Sequence, residues 1–207
     1  MNVKVKVIFY SLYGHVFRLA EAVAAGAREV PGAEVELLQV AETLPQDVIA
    51  KMGATEAKKA FAHVPIANPR TLNEADVILF GSGTRFGSAT AQMQTFFDNT
   101  GPLWSSGALV GKVGGVFTSS ASQHGGQETT LLSMMTFLFH QGMVVVGVPY
   151  AAQGLLLMSE ITGGSPYGSS TITNSQGERQ PSANELGIAT FQGRHTTQIG
   201  AKVAAKG

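Results

Sequence analysis

Near its N-terminus the chain reads Val3-Lys4-Val5-Lys6-Val7-Ile8-Phe9-Tyr10-Ser11-Leu12-Tyr13-Gly14-His15-Val16. The first half alternates apolar and charged residues and then becomes wholly apolar, which predicts a β-strand over residues 3–10. After Gly14, apolar residues recur from Val16 to Ala27 at the i, i+3, i+4 and i+7 positions of a helix. A strand joined to a helix by a short loop is the first half of a βαβ unit.

The same alternation of strand and helix continues along the chain. Further strands are predicted over residues 33–40, 75–80, 112–118 and 143–148. Further helices are predicted over residues 92–99 and 128–140, and a last one starts at the capping-box pattern of Ser182 and Glu185. We therefore expect an α/β fold in one domain over residues 1–207, a doubly wound parallel sheet of five strands with helices on both faces. Five such units need roughly 150 residues, so residues 43–69 and 159–181 are expected to form extra loops.

Composition excludes several classes of protein. The 207 residues contain no cysteine, which rules out disulfides, thiolate metal sites and thiol nucleophiles. The chain has 14 basic residues (Lys and Arg) and 14 acidic ones (Asp and Glu), so it lacks the excess of positive charge that nucleic-acid binding needs. The five histidines lack metal-ligand spacing, and we expect no metal site. Only 14% of residues are charged, which favours an oligomer that hides part of its surface.

Nothing in the sequence indicates targeting to a membrane. The N-terminal residues have the pattern of a strand and not of a signal peptide. Residues 129–159 carry no charge, but His140-Gln141-Gly142 and Pro149-Tyr150 interrupt them, so they do not form the continuous apolar segment that a spanning helix needs. We expect no integral membrane segment and a cytoplasmic protein.

The loop after the first strand has the chemistry of a phosphate site. A helix N-terminus offers free N–H groups, Ser11 adds a hydroxyl, and Gly14 allows a close backbone approach. The loop lacks the lysine of a Walker A motif and the three glycines of a dinucleotide fingerprint. Taken alone, the pattern is equally that of an ordinary strand-to-helix turn.

Two further loops follow later strands of the predicted sheet. Residues 81–88 combine small residues with Arg85 and Phe86, and residues 118–128 are rich in hydroxyls and amides. Each also fits a simple explanation, a glycine-rich turn and a flexible polar loop. Ligands of open α/β sheets bind beyond the carboxyl ends of the strands. Together the three loops therefore predict a ligand with a phosphate at one end and a planar, hydrogen-bonding ring at the other.

Specific motifs along nearly the whole chain resemble those of the WrbA-type NAD(P)H:quinone oxidoreductases. They are Tyr10-Ser11-Leu12-Tyr13-Gly14-His15, Thr84-Arg85-Phe86-Gly87, Gln92-Met93, Phe96-Phe97-Asp98, Gly101-Pro102-Leu103-Trp104, His124-Gly125-Gly126-Gln127-Glu128, His140-Gln141-Gly142, Gly163-Gly164-Ser165-Pro166-Tyr167-Gly168 and Arg179-Gln180-Pro181-Ser182. The resemblance implies a flavodoxin-like sheet of strand order 2-1-3-4-5 and FMN as cofactor. It also implies two-electron reduction of quinones by NADH or NADPH, and a homo-oligomer, usually a tetramer.

The resemblance also implies a role for each matching residue. The phosphate group of FMN is assigned to Ser11, Leu12, Tyr13, Gly14, His15 and Val16. The isoalloxazine is assigned to Thr84, Arg85 and Phe86, and its polar edge and ribityl chain to Ser119, Ser120, Ala121, Ser122, Gln123 and His124. Tyr13 would also contact the nicotinamide, and Trp104 would border the quinone pocket of its own or a neighbouring subunit. His140 would be a flavin-site histidine that stabilises the reduced ring or donates to the quinone. Without the resemblance, His140 is explained by the dipole at a helix C-terminus.

Other functions remain as alternatives. A flavodoxin-type electron carrier would have the same fold and cofactor but no substrate of its own. A hydrolase is disfavoured because no G-x-S-x-G pattern stands at a strand–helix turn. A regulatory protein with a protein partner is a further alternative. No residue distinguishes NADH from NADPH.

Overall fold

A computed structural model describes residues 2–205 of the chain. The strands are β1 (Val3–Phe9), β2 (Ala33–Gln39), β3 (Val77–Arg85), β4 (Ser88–Ala89), β5 (Val113–Ser120), β6 (Val144–Val145) and β7 (Ser170–Ile172). The helices are α1 (His15–Arg28), α2 (Gln46–Lys51), α3 (Thr55–Lys59), α4 (Ala91–Asp98), α5 (Gly101–Ser105), α6 (Gln127–His140) and α7 (Ala183–Ala204). Short 3₁₀ helices occupy Pro69–Glu74 and Gln153–Leu156.

The sheet has the predicted doubly wound parallel architecture. Its strands lie in the order β2-β1-β3-β5-β6, which confirms the order 2-1-3-4-5 for the five main positions. One apolar face of the sheet is covered by α1 and α7, and the other by α4 and α6. Because both faces are buried, the central strands are continuous apolar runs instead of alternating ones.

The fifth position of the sheet is shared by two short strands, and β4 pairs with the end of β3, so within residues 2–205 the sheet has seven strands and not five. β6 pairs with Val113 and Gly114 at the start of β5, whereas β7 pairs with the last three residues of β5. The predicted strand over 143–148 is therefore too long, and the expected loop over 159–181 contains β7. The chain turns away near Gly147, which is in close contact with the carbonyl oxygen of Pro166.

The first expected loop, residues 43–69, also has structure. It forms α2 and α3 and buries Phe61, whose ring packs 5.8 Å from that of Phe9 and 5.2 Å from that of Phe17. Sequence patterning missed these helices because each is shorter than two turns.

β3 is longer than the sequence predicts because its end forms a hairpin with β4. Thr84 pairs with Ala89, and Arg85 pairs with Ser88. The two turn residues, Phe86 and Gly87, both have positive φ angles, 52° and 81°, as a tight hairpin requires. The hairpin raises the Phe86 side chain, which is fully exposed, above the carboxyl edge of the sheet.

Across residues 2–205, no helix is both long enough and apolar enough to span a bilayer.

Candidate functional site

A cavity of about 520 Å³ lies at the carboxyl edge of β1, β3 and β5. This volume falls within the roughly 300–1,000 Å³ of small-molecule sites. The predicted residues that line it are Ser11, Leu12, Tyr13, His15, Val16, Thr84, Arg85, Ser119, Ser120 and Ala121. All three predicted loops thus contribute to one cavity.

One end of the cavity is the N-terminus of α1. Gly14, at the N-cap position, has a φ of 90°, and its N–H donates to the Ser11 hydroxyl at 3.0 Å. No side chain in the described part of the protein caps this helix, so its first-turn N–H groups are free for a ligand. A Cβ on Gly14 would meet no atom within 4 Å, because the cradle is open there. These features fit a phosphate group.

His15 is the buried polar side chain beside this cradle. Its Nε2 has no hydrogen-bond partner within residues 2–205. Burial lowers the pKa of His15 below its ordinary value, and the Gly177 backbone only partly opposes this shift. His15 lines the cavity, but this Nε2 atom itself is buried in the protein.

The depressed pKa of His15 has a consequence for stability. In the unfolded chain His15 takes up a proton near its ordinary pKa of 6.5, whereas in the folded chain it takes up the proton only at a lower pH. The unfolded state then binds more protons, so stability without cofactor is expected to fall as the pH drops below 6.5, by at most about 1.4 kcal/mol per pH unit. The pKa of His195 is also lowered, mainly by burial and then by the charge of Lys202. His195 is therefore expected to add to the loss of stability at low pH.

Thermal unfolding of the cofactor-free protein at several pH values below 7 tests this expectation. His15→Gln should decline less steeply than the wild type, and the exposed-site control His63→Gln should follow the wild type. Equal slopes for all three proteins would contradict the assignment to His15.

Tyr10, which lines the cavity, belongs to a hydrogen-bonded network around Glu42. The Tyr10 hydroxyl donates to both carboxylate oxygens at 3.1 and 3.0 Å, Lys58 approaches to 2.7 Å, and Gln92 donates at 3.1 Å. Burial, and then the Glu42 carboxylate, raise the pKa of Tyr10. Burial alone would raise the pKa of Glu42, but hydrogen bonds from Lys58 and Leu44 outweigh it and lower the pKa. Tyr10 is therefore held in place from behind the cavity wall by a carboxylate that Lys58 neutralises.

The opposite wall is the β3–β4 hairpin. Thr84 accepts a hydrogen bond from the Thr130 hydroxyl of α6 at 2.7 Å, which fixes the hairpin against that helix. Arg85 lines the cavity and donates to the Thr84 carbonyl at 2.9 Å. Phe86 stands at the tip in a strained backbone conformation.

The predicted loop after β5 divides between two depressions. Ser119, Ser120 and Ala121 line the main cavity, but Gln123 and His124 line a neighbouring one of about 310 Å³. The division arises at Gln127, whose side-chain amide donates to the carbonyls of residues 122 and 123 at 2.9 and 2.8 Å. Ser122 and its two successors are thereby folded back toward the start of α6.

Trp104 and His140 lie at the other end of the molecule from the cavity. α6 begins beside the β3–β4 hairpin and ends at His140, just before β6 pairs with the first residues of β5. Its 14 residues span about 21 Å. Trp104, on α5, is 61% exposed, and this segment is joined to the end of α6 by a hydrogen bond from Gln141 to Thr100. The structure brings the two residues to the same end of the chain's fold, away from the cavity.

Sequence reasoning missed two parts of the cavity wall. Met52 and Gly53 come from the first insertion, and the turn over residues 173–177 comes from the second. The Asn174-Ser175-Gln176-Gly177 stretch is typical of a turn, but no local signal shows that β7 carries it to β5. Within the described residues, no group of histidine and acidic side chains is arranged to hold a metal ion.

A doubly wound sheet with a phosphate-type cradle after β1 and ring-type walls after β3 and β5 defines a flavodoxin-like cofactor-binding protein. Residues 4–154 match the family described as NADPH-dependent FMN reductase. The chain is 60% identical over 200 residues to a protein of Geobacter metallireducens named NAD(P)H dehydrogenase (quinone), covering 97% of this chain and 98% of that one. A protein of the same name from Methanosarcina mazei is 58% identical over 208 residues, covering 99% and 100%. The chain therefore belongs to the FMN reductase family.

Solved structures agree with the fold. A WrbA-like flavodoxin from Agrobacterium tumefaciens has a TM-score of 0.62 at 24% identity, over 97% of this chain and 99% of that one. A flavodoxin from the domain Archaea has a TM-score of 0.62 at 18% identity, over 96% and 99%. At these identities the likeness supports the flavodoxin-like fold alone.

Proposed function

We propose that this protein is an FMN-dependent NAD(P)H dehydrogenase that reduces quinones to hydroquinones, in one FMN-binding domain over residues 1–207. The observation that carries the proposal is the cavity into which the loops after β1, β3 and β5 converge, in a chain 60% identical to proteins of that name. FMN, when bound, accepts a hydride from the reduced nicotinamide and delivers two electrons to the quinone. The protein supplies binding, orientation and electrostatics.

The phosphate group is assigned to the α1 end of the cavity. There Ser11 and the first-turn N–H groups would bind it through a neutral cradle, while Gly14 leaves room for its oxygens. The ring is assigned to the opposite end, between Thr84, Arg85 and the residues at the end of β5. Ser119 lines the cavity there and offers a hydroxyl, which can donate to or accept from a polar ring edge.

The substrates are assigned to the open side of the cavity. Tyr13 is 44% exposed there, and its hydroxyl donates to the Met52 carbonyl at 3.2 Å. A reduced nicotinamide placed against Tyr13 would occupy the same face as a quinone, so the two would bind in turn and the kinetics would be ping-pong. Because the co-substrate is NADH or NADPH, we place the protein in the cytoplasm.

The distant position of Trp104 and His140 supports a homo-oligomer, which we propose to be a tetramer. Their end of the subunit also exposes Val110 by 67% and Phe139 by 64%, an apolar surface that a second copy would cover. In this arrangement Trp104 and His140 of one subunit would border the cavity of another. His140 would then polarise the flavin or the quinone.

The first test is spectroscopic. FMN is added to purified protein, NADH or NADPH is supplied without oxygen, and a benzoquinone follows while the flavin absorbance is recorded. Bleaching by the nicotinamide and rapid return with quinone is the expected result. Binding of FMN without bleaching would favour the electron-carrier alternative, and no FMN binding would refute both.

Replacing Trp104 tests the shared site. Trp104→Ala is expected to raise the quinone KM by about tenfold, since an aromatic stacking surface is worth on the order of 1 kcal/mol or more, and to leave the FMN Kd unchanged. The control is Met158→Ala, which removes another exposed apolar side chain. Equal changes in both variants would contradict a role for Trp104 in the quinone pocket.

A further inference from the structure

The turn over residues 174–177 closes the same end of the cavity as the α1 cradle. Gly177 lies next to His15, because a Cβ added at Gly177 would be 3.6 Å from the His15 Cε1. The turn is internally ordered: the Asn174 side-chain oxygen accepts from the N–H groups of Gln176 and Glu178 at 3.1 and 3.0 Å. Its shape is thus set locally, but its position over the cradle depends on contacts at its two ends.

The start of the turn is fixed by the sheet. β7 pairs with β5, and the N–H of Thr173 donates to the Ser120 carbonyl at 2.8 Å. The other end closes when the N–H of Arg179 donates to the Thr173 carbonyl at 3.0 Å. Beyond this bond, the position of the turn depends on the side chain of Arg179.

The Arg179 guanidinium connects three parts of the chain. It donates to the Ile172 carbonyl at 2.6 Å and to the Ile161 carbonyl at 2.8 Å, and it lies 2.9 Å from a carboxylate oxygen of Glu185. A planar guanidinium makes such simultaneous contacts in a fixed geometry, which a lysine ammonium does not.

Glu185 is fully buried, and the residues around it satisfy its charge. The carboxylate accepts from the N–H groups of Gly163 at 2.8 Å and Ser182 at 2.7 Å, and from the Thr171 hydroxyl at 2.7 Å. It also forms the capping box of α7 with Ser182. A buried carboxylate without its cationic partner is strongly unfavourable, so the first turn of α7 and Arg179 hold one another in place.

We infer that Arg179 and Glu185 are positioning residues of the cofactor site, whose ion pair holds the 174–177 turn over the α1 cradle and closes the phosphate end of the cavity. The inference rests on the proposed function, because it takes FMN as the ligand. The ladder between β5 and β7 and the hydroxyl cap of α7 do not use the guanidinium, which reaches β7 only at the Ile172 carbonyl. Loss of its hydrogen bonds is therefore expected to disturb the 174–177 turn and the end of β7 beside it, and to leave the rest of the sheet in place.

Arg179→Lys tests the inference, because it keeps the positive charge but loses the planar guanidinium that makes several hydrogen bonds at once. The matched control is Arg194→Lys on α7, where Arg194 lies 2.8 Å from Glu29 in an exposed ion pair. We expect Arg179→Lys to raise the FMN Kd, measured by flavin fluorescence, by about tenfold, the equivalent of about 1.4 kcal/mol, and the control to match the wild type. The FMN concentration for half-maximal activity should rise equally, while maximal activity falls by less than about twofold, as expected when only ligand binding is weakened.

Trypsin gives a second readout, because it cleaves after either residue at position 179. FMN should slow this cleavage in the wild type and protect less in Arg179→Lys. If that variant does not fold, Asn174→Gly loosens the turn directly and should weaken FMN binding in the same direction. Wild-type FMN affinity in a folded Arg179→Lys or Asn174→Gly would overturn the inference and leave the proposed function standing. A wild type that binds no FMN would overturn both.

Discussion

Gly14→Ala is expected to weaken FMN binding by on the order of 100-fold, or about 2.8 kcal/mol. The added methyl group would occupy open space beside the N-terminus of α1, where the phosphate is assigned. It would also force alanine into a φ of 90°, which costs about 1–2 kcal/mol. Equilibrium titration of FMN fluorescence measures the affinity, and thermal unfolding without FMN measures the backbone cost separately.

Gly111→Ala is the matched control for this experiment. Gly111 also has a positive φ, 78°, and open space around its Cβ position, but it lies at the amino edge of the sheet. Both variants should lose similar stability, and only Gly14→Ala should lose FMN affinity. Comparable FMN affinities in the two variants would contradict the placement of the phosphate at α1.

Gly193→Ala is expected to destabilise the fold by about 2–3 kcal/mol, the usual cost of overpacking a tight contact. A Cβ at Gly193 would overlap the carbonyl oxygen of Val23, where α7 crosses α1 at backbone distance. A second glycine, Gly26, makes the reciprocal contact with the carbonyl oxygen of Thr190. The melting temperature should fall by roughly 5–10 °C for a chain of this size.

A second glycine of the same helix provides a control of opposite sign. Gly187 is exposed, and a Cβ there would meet no atom within 4 Å. Gly187→Ala should therefore stabilise the protein by up to about 1 kcal/mol through helix propensity. If both substitutions shifted the melting temperature in the same direction, the close approach of α1 and α7 would not be the cause of the effect of Gly193→Ala.

The main sheet was predictable because its signals are local. The apolar run that ends at Tyr10 and the helical spacing that starts at Val16 each lie within one element. Strand β7 escaped prediction because it has only three residues, Ser170–Ile172, two of which are polar. These residues form a strand only by pairing with β5. Helices α2 and α3 escaped prediction because each is shorter than two turns, too short for a helical period to show in the sequence.

Those parts of the site that lie at the carboxyl ends of the strands were predictable from the sequence. Ser11, Thr84 and Ser119 meet at one cavity because parallel strands end at one edge. The later part of the third loop was harder, since the amide of Gln127 turns His124 toward the second depression. No pattern within the chain shows that Trp104 and His140 stand at the far end of the subunit.

The divided fifth position of the sheet bears on how the protein meets its neighbours. β6 and β7 are only two and three residues long, so this side presents no continuous row of unpaired N–H and C=O groups. The opposite outer strand, β2, is seven residues long but carries Glu34 and Glu36. Short outer strands and charged side chains both prevent one sheet from extending into another. Contacts between copies of this chain through sheet edges, including fibril-like association, are therefore disfavoured even at high concentration.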